Sequence, residues 1–399
     1  MSSYFFNSQP IINYSGEILA YNISQDVTIK ANRDVATMSI INTHSTGSIN
    51  HCKAIITVDE KLLQSTILRS VAPSTFILLL DDEILENSSL LETIKELKIL
   101  NFKLAINLPN YENLKVEKYQ EFYKIADYIK IATTKLEQKQ LEQIKRYLEP
   151  FVAKLIATGV DTNLQFAIAK SIGFDYILGY YYSEPVIIEN KKIDAKLLNV
   201  VRLYNMLQSR HTSIGELVKG FESNPQLTIE LLKYINSGAF SLRAKISSIE
   251  HALSLLGRNP LAQWLLMLMY GKQINNSNTQ SLLMNMVSKR ATTMRNIAKL
   301  LSSKGINIDD NEAFLVGIMS LSENIIQAPM KMILREMHLS DSVSTALLEN
   351  SGLLGELLSL AIAIEHSDTD AIYEFIEKYA LNISSTMTII TTSAMLSAS

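Results

Sequence analysis

Up to about residue 190 the chain alternates short β-branched or aromatic runs with amphipathic stretches. Strand-like runs fall at Gln9–Asn13, Ile18–Ile23, Thr75–Leu80, Lys103–Leu108, Asp127–Ala132, Val152–Thr158 and Tyr176–Tyr182. Leu90–Leu100, Thr134–Leu148 and Leu164–Ser171 read as helices between them, with Leu90, Ile94 and Leu97 on one face of the first. Strand and helix recur at intervals of about 25 residues, the pattern of parallel βα units. Tyr14-Ser15-Gly16-Glu17 joins the first two runs as a hairpin turn, so the region opens antiparallel. It is shorter than the ~250 residues of a full eight-fold barrel, which predicts a reduced or incomplete β/α barrel.

Past Glu189-Asn190-Lys191-Lys192, read as a linker, the strand pattern stops. Asn224-Pro225 opens a helix with Leu227, Leu231 and Ile235 as its core stripe and Gly238 as its stop. Ser247 or Ser248 caps the next, with Ile249, Ala252, Leu253 and Leu256 inward and Gly257 ending it; Asn259-Pro260 starts a third. Further helices are expected at Leu282–Leu301, Asp310–Leu321, Ser342–Glu349, Leu353–His366 and Asp370–Tyr379. The tail Ser384–Ser399 reads as a last helix or a frayed end. The fold class is α/β followed by all-α: a reduced TIM-like barrel over residues 1–190, then a helical domain over 191–399.

Composition narrows the function. Of 399 residues, 47% are hydrophobic and 19% charged, which supports packed cores and argues against disorder. Cys52 is the single cysteine, so no intrachain disulfide forms, and the scattered histidines (His44, His51, His211, His251, His338, His366) make no Cys/His zinc cluster. Net charge is −3. Through Glu189 there are 18 Lys/Arg against 22 Asp/Glu, and after it 19 against 18, so neither part has the basic excess of a nucleic-acid polymer binder. The most apolar run, Trp264–Tyr270, is far short of the ~20 residues of a membrane span, and Met1-Ser2-Ser3-Tyr4 does not open a signal peptide. The expectation is a cytoplasmic protein with no membrane or nucleic-acid partner.

Asp81-Asp82-Glu83 closes a strand and could hold a divalent cation, although carboxylates there more often charge the start of a helix. Asp309-Asp310 has the same two readings, with capping favoured. His44, His51 and Cys52 lie in a Ser/Thr/Asn-rich stretch with no orienting third group, which favours a solvated loop over a nucleophile and its base. His251 has no ligand at helical spacing and reads as a structural histidine, and Glu365-His366 begins no metal motif. The methionines of the 267–294 stretch read as core or interface filler. Lys130 is the strand-borne cation that would point at a barrel mouth, if it is not simply an exposed strand-end lysine.

Asn236-Ser237-Gly238-Ala239-Phe240, Lys245-Ile246-Ser247-Ser248-Ile249, His251-Ala252-Leu253 and Leu255-Leu256-Gly257 resemble the signature of HDOD domains. Asn224-Pro225-Gln226-Leu227-Thr228 and Ala313–Ser320 fit it too. The first half resembles a degenerate EAL domain, through Gln9-Pro10-Ile11, Ala20-Tyr21, Lys98 with Lys103–Ile106, Tyr128-Ile129-Lys130, and Gly173-Phe174-Asp175 with Gly179-Tyr180. The order is that of the EAL–HDOD two-domain signalling proteins. Active EAL domains resemble metal-dependent phosphodiesterases of cyclic di-GMP, whose carboxylates hold two metal ions that activate water. By this resemblance the first glutamate position is Asn22, the paired aspartates Asn107 and Leu108, and the aspartate after the strand lysine Ala132. The remaining positions are Thr158, Leu79 and Leu178, with Asp81 or Asp82 standing near Leu79; only Lys130 is kept. In HD enzymes a His-Asp pair would stand near Met319-Ser320, and no His-Asp dipeptide occurs in the chain.

The resemblance with these departures implies a non-catalytic signalling or scaffold protein that binds protein partners and takes no cofactor. An intramolecular contact between barrel and helical domain, or a homodimer, would be its form of assembly. The alternatives are a receptor that binds cyclic di-GMP through Lys130 without cleaving it, and an enzyme built on an unrecognised site.

Overall fold

The computed structural model describes residues 6–25, 53–185, 195–236, 248–273, 278–337, 339–383, 385–387 and 389–390. The linker, the tail beyond residue 390, His44, His51, Cys52, Gly238 and Lys245 lie outside them. Eight strands close into a barrel in chain order. They are β1 (Phe6–Ile12), β2 (Ile18–Gln25), β3 (Lys53–Val58), β4 (Phe76–Leu80), β5 (Lys103–Asn107), β6 (Tyr128–Ala132), β7 (Lys154–Thr158) and β8 (Tyr176–Leu178). Strand β1 is antiparallel to both β2 and β8, and every other neighbouring pair is parallel. Asn13 turns the opening hairpin, its Oδ1 accepting from the Ser15 and Glu17 amides at 3.0 and 2.9 Å.

The expected barrel and helical region are both present, and the barrel is closed rather than incomplete. The sequence reading missed β3, because Lys53–Val58 is a short β-branched run beside a Ser/Thr/Asn-rich stretch that drew it into a loop. It also missed the helix Glu117–Ile125, whose buried side chains, Tyr119, Phe122 and Tyr123, are aromatic rather than a leucine stripe. The barrel is reduced in the sense that a tight hairpin, not a helix, joins β1 to β2.

Period-two alternation sorts the strands. Ile11, Ala20, Ile55, Ile77, Leu79, Ala105, Tyr128, Ile156 and Leu178 pack together inside the barrel. Their neighbours Ile12, Ala54, Ile56, Leu78, Leu104, Ile129 and Leu155 pack outward against the surrounding helices. Two residues further along, the inward positions are Asn22, Asn107, Lys130 and Thr158, so the alternation alone places four polar side chains at one end.

The helical part is held by two apolar clusters, one around Tyr204, Phe221, Leu231 and Leu265, the other around Met294, Leu301, Leu357 and Ile372. Its spine is the long helix Asn278–Ser303 against Asp310–Met319. Gly317 lets the two backbones meet: a Cβ there would lie 2.4 Å from the Ala291 Cα. Capping follows the sequence signals. Ser248 accepts from the His251 amide, Asp309 from the Asn311 amide, and Pro225 stands at the first position of Pro225–Ile235. One helix begins at Arg258, earlier than Asn259-Pro260; proline is tolerated in a first turn, whose amides lack helical partners. Among the described residues no single helix is long and apolar enough to cross a membrane.

The two parts are packed together. Leu282 of the long helix belongs to the barrel's outer cluster, and Tyr180, just past β8, belongs to the helical core. Substituting Gly317→Ala should destabilise the protein by about 1–3 kcal/mol, since the added carbon has no room. Gly215→Ala, in open space within Ile214–Glu222, should stabilise by about 0.5–1 kcal/mol. Urea unfolding of both variants measures the contrast.

Candidate site at the barrel mouth

Lys130 reaches across the barrel, and its Nζ donates to Asn22 Oδ1 at 2.9 Å. Burial pushes its pKa down to about 8, against the pull of the Asp82 carboxylate. Asn107 Nδ2 donates to Asp82 Oδ1 at 3.3 Å. The structure therefore brings Asn22, Asn107, Lys130 and Asp82 to one place. The other sequence candidates fare differently. Leu79 and Leu178 are buried members of the barrel interior. Leu108 packs with the outward cluster, so of the Asn107-Leu108 pair only the asparagine follows the inward register. Thr158 donates to the Ile131 carbonyl of the neighbouring strand at 3.3 Å, and Ala132 is exposed at the end of β6.

Asp81 is the N-cap residue of the short helix Asp82–Leu85, and Asp82 lies in its first turn, the helix-start placement. His251 is exposed rather than buried as a core histidine, because it falls just outside the Ala252–Leu253 stripe. Arg258 donates to the Ser209 and Thr212 carbonyls, both at 2.5 Å, and ties two helix ends together.

Among the described residues no group of three or more His, Cys, Asp or Glu side chains is placed to hold a metal ion. Hard divalent cations want clustered anionic oxygens. The mouth offers two asparagine amides, one carboxylate and an ammonium, and leucine and alanine have no lone pair to give. These residues do not fit a two-metal centre.

A second polar cluster lies in the helical part and touches the barrel through Tyr180 and Lys289, and the sequence reading missed it. Arg290 donates to Glu365 through Nε at 2.8 Å and Nη2 at 2.6 Å, and through Nη1 to Ser320 Oγ at 2.9 Å. The side chains are 5% and 10% exposed. Tyr180 Oη donates to the Glu365 carbonyl at 2.7 Å, and its ring meets His366 edge-on with centroids 4.9 Å apart. Lys289 Nζ donates to Ser8 Oγ of β1 at 3.1 Å, and burial pushes its pKa down to about 8 although Glu365 opposes the shift. Ser320 is thus a partner of Arg290. One signal was available: Arg290 sits in register with Val287, Ala291 and Met294 on the buried face of its helix, and a charge there requires a partner.

The HDOD domain model matches residues 198–354. The protein YuxH of Bacillus subtilis (strain 168) is 25% identical over 388 residues, spanning 93% of this chain and 92% of YuxH. The helical half is thus similar to HDOD domains, and nearly the whole chain is similar to YuxH. Cyclic di-GMP phosphodiesterase CdgJ of Vibrio cholerae serotype O1 is 24% identical over 230 residues, 58% of this chain and 51% of CdgJ. A solved EAL domain protein from Listeria monocytogenes EGD-e matches at 15% identity and a TM-score of 0.36, over 46% of this chain and 88% of its own. Over part of its length the chain is similar to a cyclic di-GMP phosphodiesterase, and its helical part meets the barrel through Tyr180 on the Glu365 carbonyl and Lys289 on Ser8.

Two outcomes follow for this site. Arg290→Met should destabilise the protein by about 3–5 kcal/mol, because Glu365 is left buried and unpaired; adding Glu365→Leu should restore most of the loss. Chemical denaturation of the two variants measures it. Lys130→Met should be neutral or stabilising by about 1 kcal/mol at pH 7, since a buried ammonium is removed. The folded pKa lies below the unfolded one, so the unfolded chain binds more protons between pH 8 and 10.5. Wild-type stability from this group therefore rises with pH across that window, and the advantage of the methionine variant shrinks there. Thermal melts of both proteins from pH 7 to 10.5 give the comparison.

Proposed function

We propose that this chain is an EAL–HDOD protein that acts by binding, as a non-catalytic signalling scaffold whose barrel no longer cleaves cyclic di-GMP. The observation that carries the reading is the Asn22–Lys130 pair in the mouth, with Asn107 and Asp82 beside it. Phosphodiester hydrolysis of the two-metal kind needs several carboxylates to hold the ions, generate hydroxide and neutralise the charge developing on phosphate. Here one carboxylate faces the mouth beside an ammonium that repels a cation. Such a loss removes the metal, the nucleophile and the charge stabilisation together.

Docking of the barrel on the HDOD helices supports the scaffold part of the proposal. Tyr180, Glu365 and Lys289 couple the sheet to two long helices, so the pair moves as a unit and displays one combined surface. A second reading keeps cyclic di-GMP as a ligand without hydrolysis. It is favoured by Lys130, a cation with one side-chain hydrogen bond at the mouth that a phosphate could also take.

Purified protein incubated with cyclic di-GMP and magnesium or manganese should give no linear dinucleotide, and calorimetric titration should give no binding heat. Turnover lost in Asp82→Ala would overturn the non-catalytic reading. Micromolar binding abolished by Lys130→Ala would replace the scaffold with the receptor.

A further inference from the structure

The end of the barrel opposite the mouth carries a concentration of positive charge that the composition does not announce. Lys95 comes from the middle and Lys98 from the last turn of Leu91–Ile99, Lys124 from the end of Glu117–Ile125, and Lys103 and Lys154 open β5 and β7. All five line one concave pocket of about 490 Å³, against a single carboxylate, Asp127. Helix dipoles account for lysines at helix C-termini. They do not account for the two that begin strands, nor for convergence in a region where acids outnumber bases.

Asp127 does not neutralise the pocket. It accepts from Lys98 at 2.5 Å, from Lys103 at 2.9 Å and from the Leu104 amide at 2.8 Å. Burial works against its charge, but these bonds outweigh that and hold its pKa below the usual value. Its role is to fix Lys98 and Lys103 in place. Lys95 and Lys124 pair with Glu92 and Glu121, which do not line the pocket, and Lys154 lies over the Tyr176 ring at 5.5 Å. Val152, in the pocket wall, is 97% exposed, and Ile99, next to Lys98, is 80% exposed. Aliphatic side chains left in water beside a ring of ammonium groups form an amphipathic surface.

We propose that this end of the barrel is a docking site for an acidic protein segment that carries an aliphatic anchor, its carboxylates meeting the lysine ring and its anchor covering Val152. Charge complementarity selects the occupant. Nucleic acid is disfavoured because the pocket has no arginine and its tyrosine, Tyr128, is buried, whereas single-strand binders stack bases on exposed aromatics. An anionic membrane is disfavoured because the site is concave. The surface lies away from the mouth and stands whether or not the barrel retains catalysis.

A short fluorescein-labelled peptide alternating Glu and Val, titrated with the full chain and followed by anisotropy, tests this. Binding should weaken at least about tenfold from low salt to roughly 0.5 M NaCl. It should weaken by a similar factor in the variant Lys95→Gln, Lys124→Gln, Lys154→Gln, with an unchanged thermal melt. A control variant at Lys61, Lys135 and Lys139, exposed elsewhere on the barrel, should bind as wild type. The proposal is overturned if the peptide does not bind, or if the pocket variant binds equally well. It is also overturned if a single-stranded oligonucleotide or vesicles rich in phosphatidylglycerol bind more tightly than the peptide and lose that binding in the pocket variant.

Discussion

The bidentate pair between Arg290 and Glu365 is the constraint around which the helical part, and its contact with the barrel at Tyr180, are arranged. A guanidinium and a carboxylate this deeply buried are tolerable only while each has the other, because an unpaired ion in the interior costs several kcal/mol. Around that requirement the remaining contacts fall into place. Ser320 takes the third guanidinium donor, Tyr180 brings β8 onto the same helix turn through the Glu365 carbonyl, and His366 closes on the Tyr180 ring. The pair contributes specificity more than raw stability: it sets how two helices face one another, where an apolar face alone would permit sliding.

The mouth shows how strand alternation and side-chain identity act separately. Alternation decides that Asn22, Asn107, Lys130 and Thr158 follow the inward register, and it would do so for any residues at those positions. Identity decides what the cluster can do. Asparagine and lysine satisfy one another across the barrel, leucines fill the space below, and the result is a hydrogen-bonded plug rather than an anionic cradle. The opposite end has the contrary character, with five ammonium groups around one carboxylate. A barrel with a polar, nearly neutral mouth and a cationic base presents two chemically unlike ends on one rigid frame.

Much of this was legible from local pattern. Short β-branched runs, the Asn13 hairpin, the proline and serine helix starts and the carboxylate caps are local phenomena, decided within one or two turns of chain. Lys130 was identifiable as a mouth residue because period two and the βα direction suffice to aim it. Strand β3 was lost where a local polar context outweighed six residues, and Glu117–Ile125 where aromatics hid the helical period.

What the sequence by itself determined is the order of elements, the two textures and the residue chemistry available at each strand end. What only the tertiary structure decided is which distant residues become neighbours. Asn22 and Lys130 are 108 positions apart, and Tyr180 and Glu365 are 185 apart. The lysine pocket draws on two helices and two strands. Closure of the barrel and docking of the helices create these proximities, and no periodicity in the chain encodes them. Electrostatics depends on distance and burial, so the charge of a site is a property of the folded molecule even when every charge is visible in the sequence.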